Sequence, residues 1–212
     1  MEQIWIYLPS IMLAYAAFLL GAMSPGPNIL AVIGTSMSEG RKSGTALAMG
    51  IAMGSFSWGL LSAVGLTALL ATYASALFVI KIIGGCYLLW LGYKSLRSAA
   101  SKYDLNTVTL DGDKRRPRDF FIRGYLIQMT NPKAALTWVA IITLGLAPDA
   151  PVWVAASIVT GATLLSIIMH GLYAVAFSTN LMVRVYSKAR KYIQATLGIF
   201  FVGAGIKLLS GK

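Results

Sequence analysis

Two short stretches of this chain carry groups that could hold a charged ligand inside an otherwise apolar sequence. The first is Ser24-Pro25-Gly26-Pro27-Asn28. Each proline removes an amide donor and crowds the carbonyl one turn back, and the intervening glycine relaxes the backbone. A helix entering this stretch should open and leave backbone groups without helical partners. Half-helix ends at such a break can bind an ion or the two charges of a zwitterion, and Asn28 adds a donor and an acceptor. The plainer alternative is a kink that only shapes packing. The second stretch is Asn131-Pro132-Lys133. Counted from residue 120, Lys133 lies roughly 20 Å along its helix at about 1.5 Å per residue. A lysine at that depth in lipid is a functional-site hypothesis by default. It could receive a substrate carboxylate, or bond to carbonyls freed by a neighbouring break.

Three further groups raise the same question. Lys81 sits inside another apolar run, where the alternative is a long side chain reaching the outer interface. His170 is the only histidine and the candidate for proton linkage, against a plainer reading as a hydrogen-bonded core residue. Ser166 precedes it by one turn, a hydroxyl–imidazole pair that is too thin a constellation for an enzyme. Glu39, Asp119 and Asp149 all lie at or beyond segment edges, so no buried acid is available to a cationic side chain. With one cysteine, Cys86, and no Walker-type loop, zinc-ligand spacing or cofactor box, neither metal nor cofactor is expected.

The elements that must position these groups are membrane helices. The chain has 212 residues, 57% apolar and 12% charged, with a mean hydropathy of +0.71. Soluble domains run at about 45–50% apolar and about 25% charged. Six apolar segments are separable, at residues 5–34, 45–68, 71–92, 120–144, 151–177 and 192–210. Each is long enough to span a bilayer, and continuous runs argue for helices over barrel strands. The expected fold is therefore all-α and polytopic, with six transmembrane helices of which the first and fourth are broken.

The net charge of +11 would suggest nucleic acid in a soluble chain. Here the basic residues occupy alternate loops, at 35–44, 93–119 and 178–191, while 69–70 and 145–150 contain no Lys or Arg. No nucleic-acid partner is expected. The bias predicts a cytoplasmic 93–119 loop and N- and C-termini outside. The N-terminal MEQ lacks the basic side chain of a signal peptide.

Weak internal similarity aligns Met23–Asn28 with Met129–Ala134, and GGCYLLWLG at 84–92 with GAGIKLLSG at 203–211. Three spans per half require the second half to be inverted. One domain over 1–212 is expected: a three-helix half at 1–92, a cytoplasmic linker at 93–119 and a second half at 120–212. Gly50 with Gly54, Gly84, and Ser157 with Gly161 are small residues suited to close helix packing. They would serve the internal seam or a homodimer contact.

SPGPN with the following ILAV, the basic turn SEGRKSG, the KIIGGCYLLWLGYKSLR stretch and the QMTNPKAALTW stretch resemble the LysE/RhtB family of amino-acid exporters. The resemblance runs over residues 10–210. It implies a small secondary carrier of the bacterial inner membrane that exports amino acids or close derivatives and is not an enzyme. Its signature residues map to Pro25, Gly26, Pro27 and Asn28, and to Asn131, Pro132 and Lys133; Lys81 and Gly84 belong to the third-helix stretch. Many family members have an ionisable or strongly polar residue after the Gly50–Gly54 pair, where this chain reads Ser55-Phe56-Ser57. That departure favours a neutral amino acid. The expected mechanism is proton-driven alternating access in a lipid-embedded carrier, with Ser24 and Lys81 joining the signature residues around the substrate. A passive pore is the rival, and a non-transporting scaffold a more distant one.

Overall fold

The computed structural model describes residues 2–24, 26–72, 76–100, 116–147 and 150–210. They form eight α-helices and no strand: α1 (Glu2–Met23), α2 (Pro27–Ser38), α3 (Gly40–Thr72), α4 (Ala76–Ala100), α5 (Pro117–Met129), α6 (Pro132–Gly145), α7 (Val152–Ala176) and α8 (Asn180–Ser210). Four contain stretches long and apolar enough to cross a membrane: Ile4–Met23, Gly40–Leu66, Val152–Ala176 and Lys188–Ser210. The apolar segment at 120–144 is divided between α5 and the shorter apolar helix α6.

Both divisions fall at the prolines. After α1 the chain passes through Gly26, extended at φ −158° and ψ −177°, and α2 begins on Pro27. After α5 it passes through Asn131, and α6 begins on Pro132. Proline suits the first helical position because an amide there has no partner to lose. Aligning the two breaks on their helix starts gives a different register from the internal similarity. On that alignment Pro27 stands with Pro132 and Asn28 with Lys133, one position away from the alignment of Met23 with Met129. The first break is one residue longer than the second.

The basic loops are shorter than the sequence suggested. Residues 93–100 continue α4 because nothing in GYKSLRSAA breaks a helix, and residues 117–119 already belong to α5. There the Asp119 carboxylate accepts the Arg116 amide at 2.9 Å. The middle of the expected linker, residues 101–115, lies outside the described residues. Between α2 and α3 only Glu39 intervenes, and Gly40 turns the chain at φ +83°, a conformation that disfavours any side chain.

Glycine contacts fix how the helices run. A Cβ on Gly50 would lie 1.9 Å from the Phe121 carbonyl oxygen, and one on Gly124 would lie 2.1 Å from that of Leu47. Farther along, Gly54 meets the Gln128 side chain, so α3 and α5 run parallel in direct backbone contact. Gly161 lies under the Tyr15 ring, whose hydroxyl donates to the Ser157 carbonyl at 2.7 Å, while Tyr7 meets Trp153 edge-on. Helices α1 and α7 therefore also run parallel. Gly85 faces Gly205 and Gly92 faces Gly198, which makes α4 and α8 antiparallel. Gly84 packs against Leu208 and Ala140. In a chain without a water-driven collapse inside lipid, such close backbone approach supplies the packing attraction.

Candidate functional site

The prolines remove the amide that would normally serve two carbonyls four residues back. The residue four places after Gly21 is Pro25, and the residue four places after Gln128 is Pro132; neither carries an amide hydrogen. Each of these carbonyls accepts from a side chain elsewhere in the molecule, and that of Gln128 also accepts the Asn131 amide at 3.3 Å. The Lys133 ammonium, from the first turn of α6, donates to the Gly21 carbonyl at 3.4 Å and to the Ser24 carbonyl at 3.1 Å. The Trp58 indole of α3 donates to the Gln128 carbonyl at 3.1 Å.

The corresponding residue of the other break also crosses over. Asn28, in the first turn of α2, donates its amide to the Gln128 side-chain oxygen. Asn131 in turn donates to the Asn28 side-chain oxygen at 3.3 Å, and its own side-chain oxygen caps α6 by accepting the Lys133 amide at 3.0 Å. The two breaks are thus tied by an amide chain and a lysine. The Tyr87 hydroxyl of α4 donates to the Lys133 carbonyl at 3.0 Å and approaches the Thr137 hydroxyl at 3.5 Å.

These groups surround a cavity of about 50 Å³. Its polar wall is Ser24, Asn28, Ser55, Gln128, Asn131 and Lys133, with Gly26 at the first break. Its apolar wall includes Phe18, Ala22, Ile29, Ala134 and Trp138. Trp138 is held rigidly: its indole donates to the Ser55 hydroxyl at 3.0 Å, its ring covers Gly59, and Phe18 packs against it at 5.4 Å. No Asp or Glu is among the described lining residues. His170 reaches the cavity from α7. Its Nδ1 lies 2.9 Å from the Ser166 carbonyl oxygen and 3.2 Å from the Ser166 hydroxyl, so a hydrogen on Nδ1 would serve the carbonyl and leave Nε2 as the basic nitrogen of the neutral ring.

The electrostatics are two-sided. The first turns of α2 and α6 present partial positive charge, and the last carbonyls of α1 and α5 partial negative charge. The two N-termini differ, because Asn131 caps α6 whereas Gly26 offers α2 no side-chain cap. The Lys133 ammonium stands at that uncapped end, 3.5 Å from where a Gly26 Cβ would be. An anion would find the uncapped first turn of α2 and an ammonium there, and a cation would find the carbonyls of Gly21 and Ser24.

Of the residues singled out from the sequence, Ser24, Gly26, Asn28, Asn131, Lys133 and His170 line this cavity. Pro27 and Pro132 start their helices and are exposed, and Pro132 also removes the amide four places after Gln128. Pro25 and the Lys81 side chain lie outside the described residues. Gln128, Trp58, Tyr87 and Trp138 were not among the candidate site residues read from the sequence, and Ser55 was noted there only as a departure from the family's pattern. Gln128 left a signal there, a polar residue in an apolar segment four places before a proline.

A family model described as LysE type translocator matches residues 19–212. An uncharacterized membrane protein of Escherichia coli K12, YahN, is 29% identical over 198 residues, covering 91% of this chain and 87% of the relative. A threonine efflux protein of Salmonella typhimurium is 28% identical over 194 residues, with 92% and 94% covered. A leucine efflux protein of Klebsiella pneumoniae is 28% identical over 204 residues, again with 92% and 94% covered. No solved structure matches the chain.

Proposed function

Because the chain belongs to the LysE type translocator family, and so is a membrane translocator and not an enzyme, we propose that it exports a neutral amino acid by alternating access. The threonine and leucine efflux proteins among its relatives support an amino-acid cargo. The absence of a carboxylate among the described lining residues supports a neutral side chain. The observation that carries the reading is Lys133 reaching across to the carbonyls of the opposite break. In the substrate complex its ammonium would turn from those carbonyls to the α-carboxylate, beside the uncapped first turn of α2. The carbonyls of Gly21 and Ser24 would then be released to the α-ammonium. Asn28, Gln128 and Asn131 complete the polar wall, and the apolar wall takes the side chain.

The molecule is one translocator domain of two inverted halves, α1–α4 and α5–α8. Exchange of the halves converts the α1–α7 pair into the α5–α3 pair, both of them parallel, and maps the antiparallel α4–α8 pair onto itself. Under that exchange Gly85 and Gly92 correspond to Gly198 and Gly205. Six spans in alternating direction, with the termini outside as the basic residues favour, account for these directions. A cavity of about 50 Å³ has room for a few waters at about 10–15 Å³ each. It must widen to admit an amino acid, which favours a carrier over an open pore. His170 is the one titratable side chain besides Lys133 among the described lining residues and would carry the coupled proton on Nε2.

The test is flux in proteoliposomes. Lys133→Ala, at normal membrane abundance, should lower saturable transport of L-threonine or L-leucine at least about tenfold, the worth of a charge-assisted hydrogen bond. Unchanged saturable transport would remove Lys133 from the site. Flux that never saturates in the parent protein would favour the pore.

A further inference from the structure

A second cavity, of about 210 Å³, opens at the other end of the same seam. It lies among Pro9, Ser10 and Leu13 of α1, Thr143 and Leu144 of α6, and Lys207 and Leu208 of α8. Its volume is about four times that of the central cavity. Both cavities use the facing surfaces of α1 and α6. Gly21 and Thr137 border the central one, and Leu13 and Thr143 the second. From Leu13 to Gly21 is roughly 12 Å along α1 at about 1.5 Å per residue.

What separates them is an apolar plug. Phe201 of α8 is fully buried, and its ring tip would lie 3.9 Å from a Cβ on Gly21, whose other neighbour is Thr137 at 3.3 Å. Phe201 belongs to an apolar cluster with Ala140 and Leu208, against which Leu20 and Leu144 pack. The cluster therefore runs from the wall of the central cavity to Leu144 and Leu208 in the wall of the second. On the far side of the plug the one charged residue among the described lining residues is Lys207, exposed in the last turn of α8, with the Ser10 and Thr143 hydroxyls as polar company.

The geometry points to an outer subsite for the amino acid's carboxylate, held at Lys207 and separated from the central site by a Phe201 gate. This inference deepens the export reading and rests on it, including the outward orientation of the α1 N-terminus. Cargo leaving the central cavity would pass Phe201 along the α1–α6–α8 seam. Lys207 would then receive the carboxylate that Lys133 releases, so the anion's passage through the apolar layer starts and ends at an ammonium group.

Impermeant thiol labelling tests this in a Cys86→Ser background, which removes the only cysteine. Ser10→Cys should be labelled from outside intact cells, and external L-threonine or L-leucine should slow the labelling. Lys207→Gln should abolish that protection, and Lys207→Arg should retain it. Absent outside labelling, labelling without protection, or protection unchanged in Lys207→Gln would each overturn the subsite. Phe201→Ala should add a leak of labelled amino acid across liposomes that persists without any gradient; a folded Phe201→Ala protein without the leak would overturn the gate. Saturable flux of the Cys86→Ser protein is measured alongside. Its absence would strike the export reading, whereas its presence with an unprotected Ser10→Cys would strike the outer subsite alone.

Discussion

At the scale of single residues, the site is an answer to a backbone shortage. Pro25 and Pro132 each deprive a carbonyl of its amide, and the chain repays the two carbonyls differently: a charged ammonium at Gly21, a neutral indole at Gln128. The charged group is the one a carboxylate can recruit away. Asn131 serves both as the cap of α6 and as a link to Asn28, and the two roles can be separated. Asn131→Ala should cost about 1 kcal/mol through the lost cap, read as a lower melting temperature in detergent, and should also impair transport. Asn131→Ser restores a capping oxygen, so its melting temperature should return while transport stays low. Equal recovery of both would assign Asn131 to stability alone. The prolines, Asn28 and Lys133 were legible because breakers and charges stand out in an apolar run. Trp58, Tyr87 and Trp138 were not, because an aromatic residue in a membrane helix has the same sequence signature facing lipid or facing a site.

At the scale of elements, helix pairs are set by where backbones can touch. The α3–α5 seam has two reciprocal contacts in which a glycine of one helix meets a carbonyl of the other. No side-chain rotation can relieve a Cβ that would sit 2.1 Å from a backbone oxygen. Gly124→Ala should therefore force α5 off α3 and lower the yield of monodisperse protein sharply. Gly65→Ala, where nothing lies within 4 Å, should leave the yield unchanged. Size-exclusion profiles of the two variants make the comparison, and equal profiles would count against a tight α3–α5 seam. The seam has a functional reach, because Gly54 makes room for the Gln128 side chain that holds Asn28. The expected six apolar segments located helical sequence correctly in outline but misjudged the ends. Hydropathy marks what lipid can cover, whereas helices α4 and α8 continue into polar sequence that still favours helix.

At the scale of the whole molecule, two breaks face each other across one small cavity, with His170 on its rim. If the ring carries the coupled proton on Nε2, His170→Asn should keep a donor for the Ser166 carbonyl while removing the titrating nitrogen. Uptake driven by a pH gradient into inside-out vesicles should then be lost, while exchange of labelled for unlabelled amino acid continues. Loss of both would make His170 a substrate contact or a structural residue, and retention of both would exclude it from coupling. The sequence by itself determined that the chain is a membrane protein built of helices, where two of its apolar segments break, and which family its motifs resemble. These are properties of composition, of proline chemistry and of residue order, all local in the chain. Only the tertiary structure decided that Lys133 satisfies Gly21 and Ser24 across the molecule and that Gln128 joins the amide chain. Those outcomes depend on which helix faces meet, and that choice is made by glycine contacts between segments some 70 to 140 residues apart.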